Sequence, residues 1–165
     1  MRMLIKGLIR MALCVAGALG AGYAWADTNE TLCVAGEDIY FSCPLNGGKI
    51  VSICASGNNS PDSGYVQYRY GTGKKIEIIY PGLKESPRNK LFYVDATEGN
   101  AGNEILKFDI GSYRYFIRQA YFSGLLVKKN NREVFRQTCE DSRYANISRG
   151  AVRGIQHKNK SDEDF

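Results

Sequence analysis

The chain has 165 residues, with 22 Lys and Arg, 17 Asp and Glu, a single His and a net charge of +5. Three of the basic residues, Arg2, Lys6 and Arg10, lie in the first 26 positions, and without that stretch 19 basic residues face 17 acidic ones, a net +2. A nearly balanced domain carries no electrostatic footprint for nucleic acid, and the length fits one domain with a real core.

Residues 1–26 read as a secretory signal peptide. After the basic start, residues 11–26 carry no charge, are rich in Ala, Leu, Gly and Val, and end in Ala24-Trp25-Ala26 before Asp27. A positive start, an apolar middle and a small-x-small end are the parts an export signal needs. The 16-residue apolar run falls short of the roughly 20 residues of a spanning helix, so cleavage near Ala26 leaves no stable membrane span. Cys14 lies inside the leader. Leu13 stands before it, where a lipoprotein signal has a small residue, so Cys14 reads as an apolar filler.

Four cysteines remain: Cys33, Cys43, Cys54 and Cys139. In an exported chain an even count reads as two disulfides, here with three pairings open. A bond from Cys139 would tie the C-terminal hairpin to the N-terminal one, whereas Cys43–Cys54 would close a short loop. Zinc is disfavoured, because there is no Cys-x-x-Cys and the single histidine, His157, lies in the tail.

The elements are short β-prone runs broken by turn residues. Residues 38–43 form the first, with Ile39, Phe41 and Cys43 on one side. Asn46-Gly47-Gly48 suits a hairpin turn into residues 49–54. Residues 56–64 are a Ser-, Asn- and Gly-rich loop. Residues 65–70 follow, with Val66, Tyr68 and Tyr70 on one face. Residues 74–80 place Ile76, Ile78 and Tyr80 opposite Lys75 and Glu77, and Pro81 ends the run. Beyond a polar loop come residues 91–94. Residues 105–110 and 113–118 alternate apolar with charged positions, the half-buried pattern. Residues 125–128 and 132–139 close a last hairpin around Asn130-Asn131. Eight or nine strands with no helical stripe predict a mostly β domain over residues 27–139, an antiparallel barrel or sandwich of about eight strands stapled by disulfides. Residues 140–165 read as a polar, partly disordered C-terminal tail. The sequon Asn146-Ile147-Ser148 is taken as chance in a bacterial-type exported chain.

Catalytic groups are sparse. His157 would have to fold back from the tail to activate a Ser or Cys. Glu77 and Asp109 sit in predicted strands, each alternating with apolar neighbours like an outer face. Gly47-Gly48 and Gly71-Thr72-Gly73 are hairpin turns rather than phosphate cradles. Tyrosine is abundant instead, 11 in all. Tyr65, Tyr68 and Tyr70 cluster with Arg69, and Tyr113 and Tyr115 with Arg114 and Arg118. Tyr and Arg are enriched in interface hot spots, though tyrosine also fills β cores. The 56–64 loop is a further binding candidate. Leu125-Leu126 beside Tyr121-Phe122 fits core better than an exposed patch.

The strands Phe41-Ser42-Cys43, Ser52-Ile53-Cys54 and Tyr65-Val66-Gln67-Tyr68-Arg69-Tyr70-Gly71 resemble those of a group of small exported bacterial proteins of unassigned function. That resemblance covers about a third of the mature chain and implies a periplasmic β domain. A weaker one, at Ser63-Gly64-Tyr65, is to periplasmic lysozyme inhibitors, whose loop has a Ser-Gly-x-x-Tyr type motif. Here position 67 is Gln and Tyr68 comes one place late.

The expectation is a periplasmic or secreted, non-enzymatic binding module that recognises a protein or a cell-wall glycan. Its binding residues are read as Ser63, Gly64, Tyr65, Tyr68, Arg69 and Tyr70, and no catalytic residue, metal or cofactor is assigned. The alternatives are an envelope-acting hydrolase and a small-molecule-binding β-barrel.

Overall fold

The computed structural model describes residues 30–140 and 144–164. The export signal expected over residues 1–26 lies outside the described residues. The protein is two β-sheets laid down one after the other along the chain. Strands β1 (Asp38–Pro44), β2 (Ile50–Ser56), β3 (Tyr65–Thr72) and β4 (Lys75–Tyr80) form an antiparallel meander in that order. Residues 81–91 lead away to the second sheet. There β5 (Phe92–Asp95), β6 (Glu104–Ile110), β7 (Tyr113–Gln119), β8 (Gly124–Lys129) and β9 (Arg132–Thr138) form another antiparallel meander. The arrangement is sandwich-like and no barrel closes.

Local sequence explains the hairpins. Asn130 and Asn131, at the β8–β9 turn, have φ of 49° and 62°. Two left-handed residues give the turn whose twist matches the flanking strands. A bulge between Tyr70 and Gly71 shifts β4 against β3 and leaves Ile76 exposed while Ile78 packs on the core.

The two inner faces make one core. Phe41, Val51, Ile53, Val66 and Tyr68 from the first sheet meet Leu106, Phe108, Ile117, Leu125 and Val127 from the second. These residues alternate along each strand, as a sheet with one dry face requires. A smaller cluster of Val94, Ala96, Ile105, Phe116 and Leu126 lies on the other face of the second sheet.

Two disulfides form. Cys33–Cys54 fastens the segment before β1 to β2, and Cys43–Cys139 joins β1 to the residue after β9, bridging the two sheets. Backbone bonds reinforce that corner: the Glu140 amide donates to Pro44 O at 2.8 Å and the Asn46 amide to Thr138 O at 3.2 Å.

The C-terminal segment carries structure. Helix α1 (Arg149–Gly154) is capped by Ser148, whose hydroxyl accepts from the Ala151 amide. Ala151 and Ile155 enter the core. Gly150 and Gly154 are needed there, because a Cβ would come within 2.7 Å of the Tyr40 ring at Gly150 and within 1.7 Å of Asn58 Oδ1 at Gly154. Strand β10 (Gln156–His157) then pairs in parallel with β5. A turn of 3-10 helix (Asp162–Asp164) follows, and Lys107 donates to the buried Asp164 at 2.5 Å.

Candidate binding site

Successive residues of a strand face opposite ways, and this splits the six residues read as one binding cluster. Tyr65, Gln67 and Arg69 lie on the outer face of the first sheet, whereas Val66, Tyr68 and Tyr70 face the second sheet. Ser63 and Gly64 belong to the loop before β3. There the Ser63 hydroxyl accepts from the Asn59 and Ser60 amides at 3.1 Å each. Gly64 has φ of 59°, and a Cβ on it would stand 2.2 Å from Ser56 O. This loop is pinned rather than free. Asn58 is buried, accepts from the Tyr40 hydroxyl at 2.8 Å and donates to Gly154 O at 3.1 Å.

The outer half of the cluster is a clasp. Arg69 donates to both oxygens of Glu37 at 2.6 Å, and also to Leu32 O at 3.0 Å and Gln67 Oε1 at 2.9 Å. The Tyr65 hydroxyl donates to Glu37 at 2.6 Å. Only 5% of the Arg69 side chain and 2% of the Glu37 side chain reach solvent. Burial by itself would raise the Glu37 pKa, but the bonds from Arg69, Tyr65 and the Val34 amide outweigh it and hold the carboxyl at about 2. The clasp presses the segment before β1 onto the sheet. Cys33 and Cys54 lie beside Glu37, but both sulfurs are in the disulfide and the carboxylate is committed to Arg69. A metal would need thiolates there. Arg69 is therefore an internal fastening and is removed from any recognition surface.

The inner half leads to a cleft. Between β3–β4 of one sheet and β7–β9 of the other is an apolar cavity of about 200 Å³, lined by Tyr68, Tyr70, Tyr113, Tyr115, Val134 and Phe135 among others. Tyr68 packs at 4.8 Å against Phe108 and 5.6 Å against Tyr115, and Tyr70 meets Phe135 edge-on at 6.3 Å. The Tyr68 side chain is fully buried, yet its hydroxyl has no hydrogen-bond partner. Burial pushes its pKa up, and the nearby Tyr115 and Tyr70 hydroxyls add to the shift, so the group stays a neutral donor. An unsatisfied buried hydroxyl costs about 1–3 kcal/mol and is rare without a purpose. Val134 is 53% exposed and Tyr113 39% exposed at this cleft.

The groups considered for catalysis are engaged elsewhere. Glu77 binds Lys49 at 2.6 Å and Asp109 binds Arg114 at 2.8 Å, both pairs partly solvated. The His157 Nε2 lies 2.6 Å from Val152 O, and its ring packs on Tyr93 at 4.8 Å. Leu125 and Leu126 are buried, while Tyr121 and Phe122 are 93% and 73% exposed and pack edge-on against each other. Sequence reasoning found Tyr68 and Tyr70 but missed Glu37, Phe135 and Val134.

These observations define a class: a disulfide-linked, two-sheet β protein with an aromatic cleft between its sheets. Among the described residues no helix is long and apolar enough to cross a membrane. No family model, curated protein or solved structure matches the chain.

Proposed function

We propose that this protein is an exported binding module of the periplasm or cell exterior, and that the tyrosine-lined cleft is where it grips a protein partner. The observation that carries the reading is the tyrosine-lined cleft between the sheets, with the exposed Val134 and Tyr113 at its mouth. An inserted apolar group would cover the ring edges and aliphatic side chains that line it, while the Tyr68 hydroxyl itself is closed off from solvent. At about 200 Å³ the cleft is smaller than the roughly 300–1,000 Å³ that encloses a whole small ligand. It suits one inserted group, such as an aromatic anchor residue, with Tyr113 and Val134 on the partner-facing rim. Tyr and apolar residues around a central pocket are the composition of an interface hot spot. Glycan stacking needs free ring faces, whereas Phe108 and Tyr115 lie stacked on each other at 5.1 Å. The two disulfides suit an oxidising compartment.

The test is binding by the wild type, Val134→Asp and Tyr113→Ala, measured both with an extract of exported proteins and by NMR titration with p-cresol. A partner captured by the wild type and weakened at least tenfold by both substitutions supports the reading. Saturable p-cresol binding with no protein captured would replace it with a small-molecule carrier. Binding indifferent to both substitutions would sink the assignment to this cleft.

A further inference from the structure

A second site stands on the outer face of the six-stranded sheet, away from the cleft. Arg118 of β7 is flanked there by Ile105 of β6 and Gly124 of β8, and Gly124 is opposite Thr138 of β9. Gly124 lets β9 come close, because a Cβ there would stand 2.2 Å from Gln137 O. A hollow of about 170 Å³ lies beside it, bounded by Arg118, Phe122, Ser123, Leu126, Arg136 and Thr138.

The guanidinium of Arg118 is the anomaly. Its Nε and Nη2 atoms are both buried and neither has a hydrogen-bond partner, so an oxyanion reaches them only when the side chains bounding the hollow shift aside. These two donors form one edge of the planar group, spaced to meet two oxygens of a single oxyanion. The same edge is occupied elsewhere in the protein. Arg114 uses it on Asp109 at 2.8 and 3.2 Å, Arg136 on Glu133 at 3.0 and 2.6 Å, and Arg88 on Asp62. Among the described residues, neighbouring acids do not complete the set at Arg118. Glu133 is held by Arg136, and Asp164 by Lys107 at 2.5 Å and the Ser161 amide at 2.8 Å. Burial and the like charge of Arg136 lower the Arg118 pKa, and Asp164 opposes them. A buried cation next to another cation calls for an anion.

We propose that Arg118 is an oxyanion-binding residue, and that the hollow beside it takes a carboxylate or phosphate carried on a small apolar body. The buried Leu126 and the exposed Phe122 supply an apolar wall for that body. Recognition is bidentate, through Nε–H and Nη2–H. A neutral ligand of the same shape gains nothing from the fork.

The experiment is NMR observation of arginine Nε–H signals in the exported protein during titration with benzoate, phenyl phosphate and benzyl alcohol. The Arg118 signal is assigned by its loss in Arg118→Lys. A saturable shift of that signal with benzoate, phenyl phosphate or both is expected, with no shift from benzyl alcohol. Which anion is preferred names the ligand's source as a carboxylate or a phosphate compound. Binding followed by backbone amides should weaken at least tenfold in Arg118→Lys, which keeps the charge and loses the fork, and vanish in Arg118→Gln. The proposal is overturned by no saturable shift with either anion, by an equal response to benzyl alcohol, or by binding that survives in folded Arg118→Gln. Should the variants fail to fold, the Arg118 Nε–H is assigned by through-bond connection to its own backbone amide and the wild-type titrations decide, with the neutral analogue as internal control.

Discussion

Glu37 and Arg69 are 32 residues apart in sequence and meet through two parallel hydrogen bonds of 2.6 Å, with both side chains almost wholly out of water. Their partnership is satisfied on every side: Tyr65 and the Val34 amide serve the acid, Leu32 O and Gln67 the base. Removing one member leaves the other buried and alone. Arg69→Ala is expected to lower unfolding stability by about 3–5 kcal/mol. The double variant Glu37→Leu with Arg69→Met should recover much of that loss. Urea midpoints of the three proteins measure the coupling.

The same pair sets an acid limit. The Glu37 pKa is about 2 when folded, against an ordinary 4.5. The lowered folded value means the stabilisation is complete above about pH 4.5 and is lost as pH falls towards 2. Its size is on the order of 3 kcal/mol. Urea unfolding at pH 6 and at pH 3 should show the wild type losing stability that Glu37→Gln, already without it, does not lose.

Tyr68→Phe deletes only the partnerless hydroxyl. In the unliganded protein the substitution should raise stability by about 1 kcal/mol, because an unsatisfied buried donor disappears and the ring packing stays. Calorimetric melting of the two proteins side by side measures the gain.

The disulfides differ in span. Cys33–Cys54 separates residues 21 apart and Cys43–Cys139 residues 96 apart. Chain-entropy arguments give about 3 kcal/mol for a loop of 15 residues and about 4.7 for one of 100. The paired replacement of Cys43 and Cys139 by Ala should therefore cost more than that of Cys33 and Cys54. Comparison of urea midpoints tests the order.

The fold was legible where one face of a strand is dry. Leu106, Phe108 and Ile110 alternate with Lys107 and Asp109, and the core takes Leu106 and Phe108 while Ile110 packs at its margin. The grouping of Tyr68 with Arg69 shows where proximity along the chain misleads. Their adjacency in a strand sends one into the aromatic cleft and the other into the clasp. Glu37 was illegible because its segment has no periodicity, and its partner lies on a strand two hairpin turns later. Phe135 and Val134 join Tyr68 only once the sheets stack, and stacking leaves no mark on local sequence. Helix α1 has six residues and two glycines, so propensity argues against it. Its fit against Tyr40 and Asn58 overrides that preference.

The bond between Cys43 and Cys139 encloses every strand from β2 to β9 in one covalent ring. A protease that cuts once anywhere inside this ring produces no separate fragment: the two new ends stay attached through sulfur, and the nicked molecule differs from the intact one by a single water. Such a cut, for example in the exposed stretch around Leu83, would be invisible on a non-reducing gel and would split the band only after reductant is added.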